Sequence, residues 1–150
     1  MTVRSGHASR TKLEATVCDE MRRQGVPHAH RSLNFRVRNA TGGFAKYSPA
    51  IVAHRGPVLF LVEPVPSPTP QQTIGRLTRF LEQHSPEIVL VVVTPDAAIQ
   101  KVPPEAYDEI YAASDLPQMT QRIREQAPTG IVRPFPKPRT ENRESPSMPT

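Results

Sequence analysis

His28-Ala29-His30 places two imidazoles on the same side of an extended chain, because successive side chains of a strand point to opposite faces. Transition metals use such a pair. No third or fourth ligand is evident beside it: Cys18 reads as a helical residue and His54 belongs to another strand, so polar residues entering a strand are the favoured reading. Glu63 closes an apolar run, where a buried strand re-emerges into solvent or where an acid is held for chemistry. Glu14 stands three residues after Thr11, the spacing of a capping box. Arg31, Arg36, Arg38, Lys46 and Arg55 form a basic series that suits either a solvated strand face or a phosphate track. No GxGxxG or P-loop match supports nucleotide hydrolysis, and neither Ser nor Cys sits in a recognisable nucleophile signature.

The elements that position these residues follow from periodicity. Leu13, Val17 and Met21 recur every four residues with Cys18 beside them, which predicts a helix over 11–24 that Gly25 and Pro27 stop. Leu33, Phe35 and Val37 alternate with polar residues, as in a half-buried strand with a basic outer face. Asn39–Gly43 reads as a hairpin connection to a second strand over 44–54, interrupted in character by Pro49. Arg55-Gly56-Pro57 turns the chain into Val58–Val62, apolar at every position as a strand buried on both faces must be. Pro66, Pro68 and Pro70 form a stiff connector. Ile74, Leu77, Phe80 and Leu81 mark a helix over 73–83, Ile88–Val93 a second buried strand, and Asp108–Ala112 a short one. Ser114 caps a last helix carrying Leu116, Met119 and Ile123, with Pro117 in its first turn. The expected class is α/β, a mixed α+β sheet flanked by helices, in the order α-β-β-β-α-β-β-α.

Within this frame, Tyr47-Ser48-Pro49-Ala50-Ile51-Val52 followed by Leu59-Phe60-Leu61-Val62-Glu63-Pro64-Val65 resembles the core motif of the PD-(D/E)XK, or restriction-endonuclease-like, nuclease superfamily. There Pro-Asp begins the second strand, and an acid, a spacer and a lysine end the third; a first-helix glutamate, here Glu14, often completes the set. The resemblance covers about residues 10–126. It implies a restriction-endonuclease-like core and catalysis by Mg2+ or Mn2+ held on Glu63 and Glu14. Such an ion polarises the phosphate and lowers the pKa of its water. This chain departs from the pattern at two positions: Ala50 stands where the aspartate belongs and Val65 where the lysine belongs. Loss of one charge-stabilising group typically lowers the rate ~10²–10³-fold. The resemblance therefore implies a degenerate, inactive member with residual nucleic-acid binding and no cofactor. Lys46 or Arg79 is a candidate for a relocated positive charge, which would instead leave an active metal-dependent nuclease.

Composition bounds the rest. With 150 residues the chain has room for one domain, expected over 1–130, with a Pro-rich disordered tail over 131–150. One cysteine excludes an internal disulfide framework. The longest apolar run, Ile88–Thr94, is far short of a bilayer span, and Met1–Arg10 is polar, so no membrane association and a cytoplasmic location are expected. Residues 1–55 hold ten basic and three acidic side chains, a net +7, whereas residues 56–130 are net −4. Basicity confined to one half suits DNA or RNA. The alternative is a protein-interaction or assembly module on the same fold, with a protein partner or a second copy docking on the sheet, helices or tail.

Overall fold

The computed structural model describes residues 11–84 and 87–126. Its elements are α1 (Lys12–Arg23), β1 (Ala29–His30), β2 (Phe35–Arg38), β3 (Phe44–Tyr47), β4 (Ile51–Arg55), β5 (Val58–Pro64), α2 (Gln71–Gln83), β6 (Ile88–Thr94), β7 (Glu109–Ala112) and α3 (Leu116–Arg124). Short 3-10 turns over Asp96–Lys101 and Pro104–Ala106 link β6 to β7, and another over Ala113–Asp115 leads into α3. The protein is mixed α/β. A five-stranded sheet runs β1-β4-β5-β6-β7, and β2 and β3 form a separate two-stranded sheet. The β1-β4 and β4-β5 pairs are antiparallel; β5-β6 and β6-β7 are parallel.

The observed order, α-β-β-β-β-β-α-β-β-α, corrects the expected one by two strands. The stretch read as one strand over 44–54 is two, β3 and β4, separated at Ser48–Ala50 and placed in different sheets. Pro49 lacks the N–H that a continuous ladder would need, so the chain leaves one sheet there and enters the other. β1 has only two residues and carries no alternating pattern long enough to read. Asp115, not Ser114, occupies the N-cap position of α3. The disordered tail expected over 131–150 and the polar segment Met1–Arg10 lie outside the described residues.

Period-2 alternation divides the core into two layers. Val58, Phe60 and Val62 of β5 and Val89, Val91 and Val93 of β6 pack against Val17 and Met21 of α1 and Leu116, Met119 and Ile123 of α3. On the other face Val52, Leu61, Leu90 and Val92 meet Leu77 and Phe80 of α2 with Val37 and Tyr47 of the small sheet. Strands buried on both faces must be apolar throughout, which is why β5 and β6 read as continuous hydrophobic runs. Gly56 turns β4 into β5 at φ 60°, a left-handed conformation that suits glycine.

The small sheet is held down by its inner face. Phe80 of α2 meets Phe35 at 5.1 Å and Tyr47 at 5.0 Å between ring centroids, both edge-on. Gln83 of α2 completes its edge: the Arg38 N–H donates to Gln83 Oε1 at 2.8 Å, and Gln83 Nε2 donates to the Arg38 carbonyl at 3.0 Å.

Candidate functional site

The residues of the resemblance gather where β1, β4 and β5 meet the first helix. Ile51 pairs with Val62, so Ala50 and Glu63 are opposed at adjacent strand ends. The Ala50 N–H donates to Glu63 Oε2 at 3.1 Å, and the Tyr47 hydroxyl donates a short hydrogen bond to the same oxygen. Part of the Glu63 residue surface reaches solvent, yet its carboxyl group is enclosed by protein. Burial pushes its pKa up to about 7, and the two hydrogen bonds and the Arg31 charge offset only part of that. The Tyr47 phenol is raised as well, by burial and then by the neighbouring carboxylate.

Glu14 is buried in the first turn of α1. Thr11 Oγ1 accepts from the Glu14 N–H at 3.0 Å, which is the capping half of the expected box. The carboxylate turns instead to β1. Arg31 grips it with Nη1 at 2.8 Å and Nη2 at 2.7 Å, a bidentate fork. His30 Nδ1 donates to Glu14 Oε2 at 2.6 Å. Arg31 adopts φ 51°, a left-handed conformation uncommon for a residue with a side chain, and its N–H donates to the Ala50 carbonyl at 3.1 Å. Its positive charge also reaches Glu63, as does the negative charge of Glu14. A guanidinium thus stands among the carboxylates that the resemblance assigns to a divalent ion.

The two replaced positions are built into the cores. Ala50 belongs to the layer against α1 and α3, and Val65 to the layer against α2. The Val65 backbone is held by β6: its N–H donates to the Val93 carbonyl at 2.7 Å, and Thr94 Oγ1 donates to its carbonyl at 3.1 Å. Lys46 lies on the exposed side of β3 and Arg79 packs over Gly75 on α2. The positive charge that Glu63 feels is therefore Arg31's.

The basic series divides. Arg31 is engaged with Glu14, and Arg55, at the far end of β4, donates through Nε to the Gln126 carbonyl at 3.2 Å. Arg36, Arg38 and Lys46 come together, because the register pairs Arg36 with Lys46 and Arg38 with Phe44. Phe44, at the hairpin end of this face, is 52% exposed. The Arg36 and Arg38 guanidinium groups lie 4.3 and 5.5 Å from its ring centroid. Phe44 was missed by sequence reasoning, although its parity with Lys46 along β3 carried the signal.

The fold brings Cys18 of α1 beside the histidine pair, which corrects the expectation that no third candidate ligand lies nearby. Cys18 follows Glu14 by one helical turn, on the face of α1 that meets β1. Its Sγ lies 3.2 Å from His28 Nε2 and 3.4 Å from His30 Nε2, and the three atoms lie within 4.8 Å of one another. Burial raises the Cys18 thiol, with Arg22 opposing the shift. Among the described residues no helix is long and apolar enough to cross a membrane. No protein-family model matches the chain, and no curated protein or solved structure matches it significantly.

Proposed function

We propose that this chain is a degenerate PD-(D/E)XK nuclease-fold protein that binds single-stranded nucleic acid through the outer face of β2 and β3 without cleaving it. The observation that carries the binding reading is the exposed Phe44 ring flanked by Arg36, Arg38 and Lys46. Flexible single strands present unstacked bases to an aromatic platform and phosphates to the surrounding cations, each stacked base contributing ~1–3 kcal/mol. The opposition of Ala50 and Glu63 at neighbouring strand ends, with Glu14 on the first helix, supports the nuclease-like ancestry. Loss of hydrolysis follows from the same place: Ala50 offers no ligand, Glu63 holds its proton up to about pH 7, and Arg31 occupies Glu14. A hard divalent cation needs anionic oxygens, and this cluster already satisfies its own charge.

Fluorescence anisotropy of labelled single-stranded DNA and RNA, titrated with the full chain between about 50 and 200 mM salt, tests the binding. Affinity should fall steeply with salt, and Arg36→Ala with Arg38→Ala should flatten the log–log slope by about 1.4, at ~0.7 per phosphate contact. No binding at low salt would refute it and favour the assembly reading. Incubation of plasmid and single-stranded DNA with Mg2+ or Mn2+ tests inactivity; cleavage that disappears in Glu63→Ala would overturn that clause.

A further inference from the structure

We propose that Cys18, His28 and His30 form a binding site for a borderline-soft divalent metal ion, zinc foremost, distinct from the magnesium site of the nuclease resemblance. Each imidazole is oriented by its other nitrogen. His28 Nδ1 lies 2.9 Å from the Val26 carbonyl, and His30 Nδ1 lies 2.6 Å from Glu14 Oε2. Both partners are acceptors, so each Nδ1 carries a proton, and in the neutral ring each Nε2 turns its lone pair toward Cys18 Sγ, at 3.2 and 3.4 Å, within reach of one shared cation.

The dimensions agree. Zn–S and Zn–N bonds of about 2.3 and 2.05 Å at a tetrahedral angle place sulfur and nitrogen about 3.6 Å apart. The two observed sulfur–nitrogen separations need open by only a few tenths of an ångström, and the two Nε2 atoms, which lie within 4.8 Å of each other, would close on about 3.3 Å. A thiolate with two imidazoles selects zinc, cobalt or copper over magnesium and calcium, and three protein ligands leave one position for water or another donor. Histidine ligands usually donate their second nitrogen to a carboxylate or backbone carbonyl, and both arrangements occur here. Glu14 thus becomes a positioning residue, its carboxylate fixed by Arg31 and orienting His30 toward the ion. The ion would also clip the two-residue edge strand β1 onto α1.

The test titrates the untagged full chain, stripped with a chelator, with Co2+ as the optical probe. One equivalent should bind with a sulfur-to-cobalt charge-transfer band in the near ultraviolet and visible bands of four-coordinate intensity. Zn2+ should bleach them, and excess Mg2+ should leave them unchanged. Cys18→Ser should abolish the charge-transfer band. His28→Gln, at a half-buried position, should weaken cobalt binding at least tenfold and decides the matter if Cys18→Ser fails to fold. Glu14→Gln should keep the charge-transfer band while lowering affinity ~10–100-fold, as loss of an outer carboxylate does. Absence of the band in the native protein, its persistence in Cys18→Ser, or unchanged affinity in His28→Gln would overturn the proposal. Nucleic-acid binding by β2 and β3 is measured separately, so either result stands without the other.

Discussion

Replacing Glu63 by Gln isolates the free energy of ionising a carboxyl group in its enclosed position. In the folded protein Glu63 titrates at about 7, against 4.5 for the unperturbed group. The folded state therefore holds a proton over a range where the unfolded chain has lost it. Its contribution to stability is fully present below about pH 4.5 and is lost as pH rises through 7. At 1.36 kcal/mol per unit, the 2.5-unit difference amounts to about 3 kcal/mol. A glutamine at this position never ionises, and its amide oxygen can still accept from the Tyr47 hydroxyl and the Ala50 N–H. Urea denaturation of both proteins at pH 4.5 and pH 8, without divalent ions, yields the comparison. Near pH 4.5 the two should be close in stability, and at pH 8 Glu63→Gln should be the more stable by about 3 kcal/mol. All other titrating groups are common to both and cancel in the difference. Parallel stability profiles would show that Glu63 ionises without penalty, and the case against a magnesium site would lose one of its three supports.

Three further outcomes are expected. Arg31→Ala leaves the buried Glu14 carboxylate without its fork and should destabilise the fold by about 3 kcal/mol in urea denaturation, as removing one partner of a buried pair does. Arg122→Ala should cost a similar ~3–5 kcal/mol, because Arg122 Nε donates at 2.9 Å to Glu109, whose carboxyl is buried between β7 and α3 and raised by that burial. Phe44→Ala should leave stability within about 0.5 kcal/mol, since the ring is exposed, yet weaken single-strand binding by ~1–3 kcal/mol in anisotropy titrations. A destabilised Phe44→Ala protein with unchanged binding would show that the ring supports the hairpin rather than a ligand.

What was legible in the sequence was local. Apolar period fixes which side of an element is buried, so α1, α2, β5, β6 and the basic outer face of β2 were readable from Val17, Phe80, Val58–Val62, Ile88–Val93 and the alternation through Val37. The opposition of Ala50 and Glu63 was not read from the sequence, although it too rests on a short-range feature, the antiparallel turn at Gly56. Two things required the assembled fold. One was the division of 44–54 between two sheets, because a strand's pattern records that a face is covered and not which sheet covers it. The other was the meeting of Cys18 and Glu14 with His28, His30 and Arg31, ten to seventeen residues away along the chain. Cysteine, histidine and glutamate carry no period that announces a long-range partner, and only the packing of α1 beside β5 and the edge strand β1 sets the few ångströms between them. Residue types therefore delimited the chemistry open to this protein, while the tertiary contacts decided that Arg31 and His30 meet Glu14.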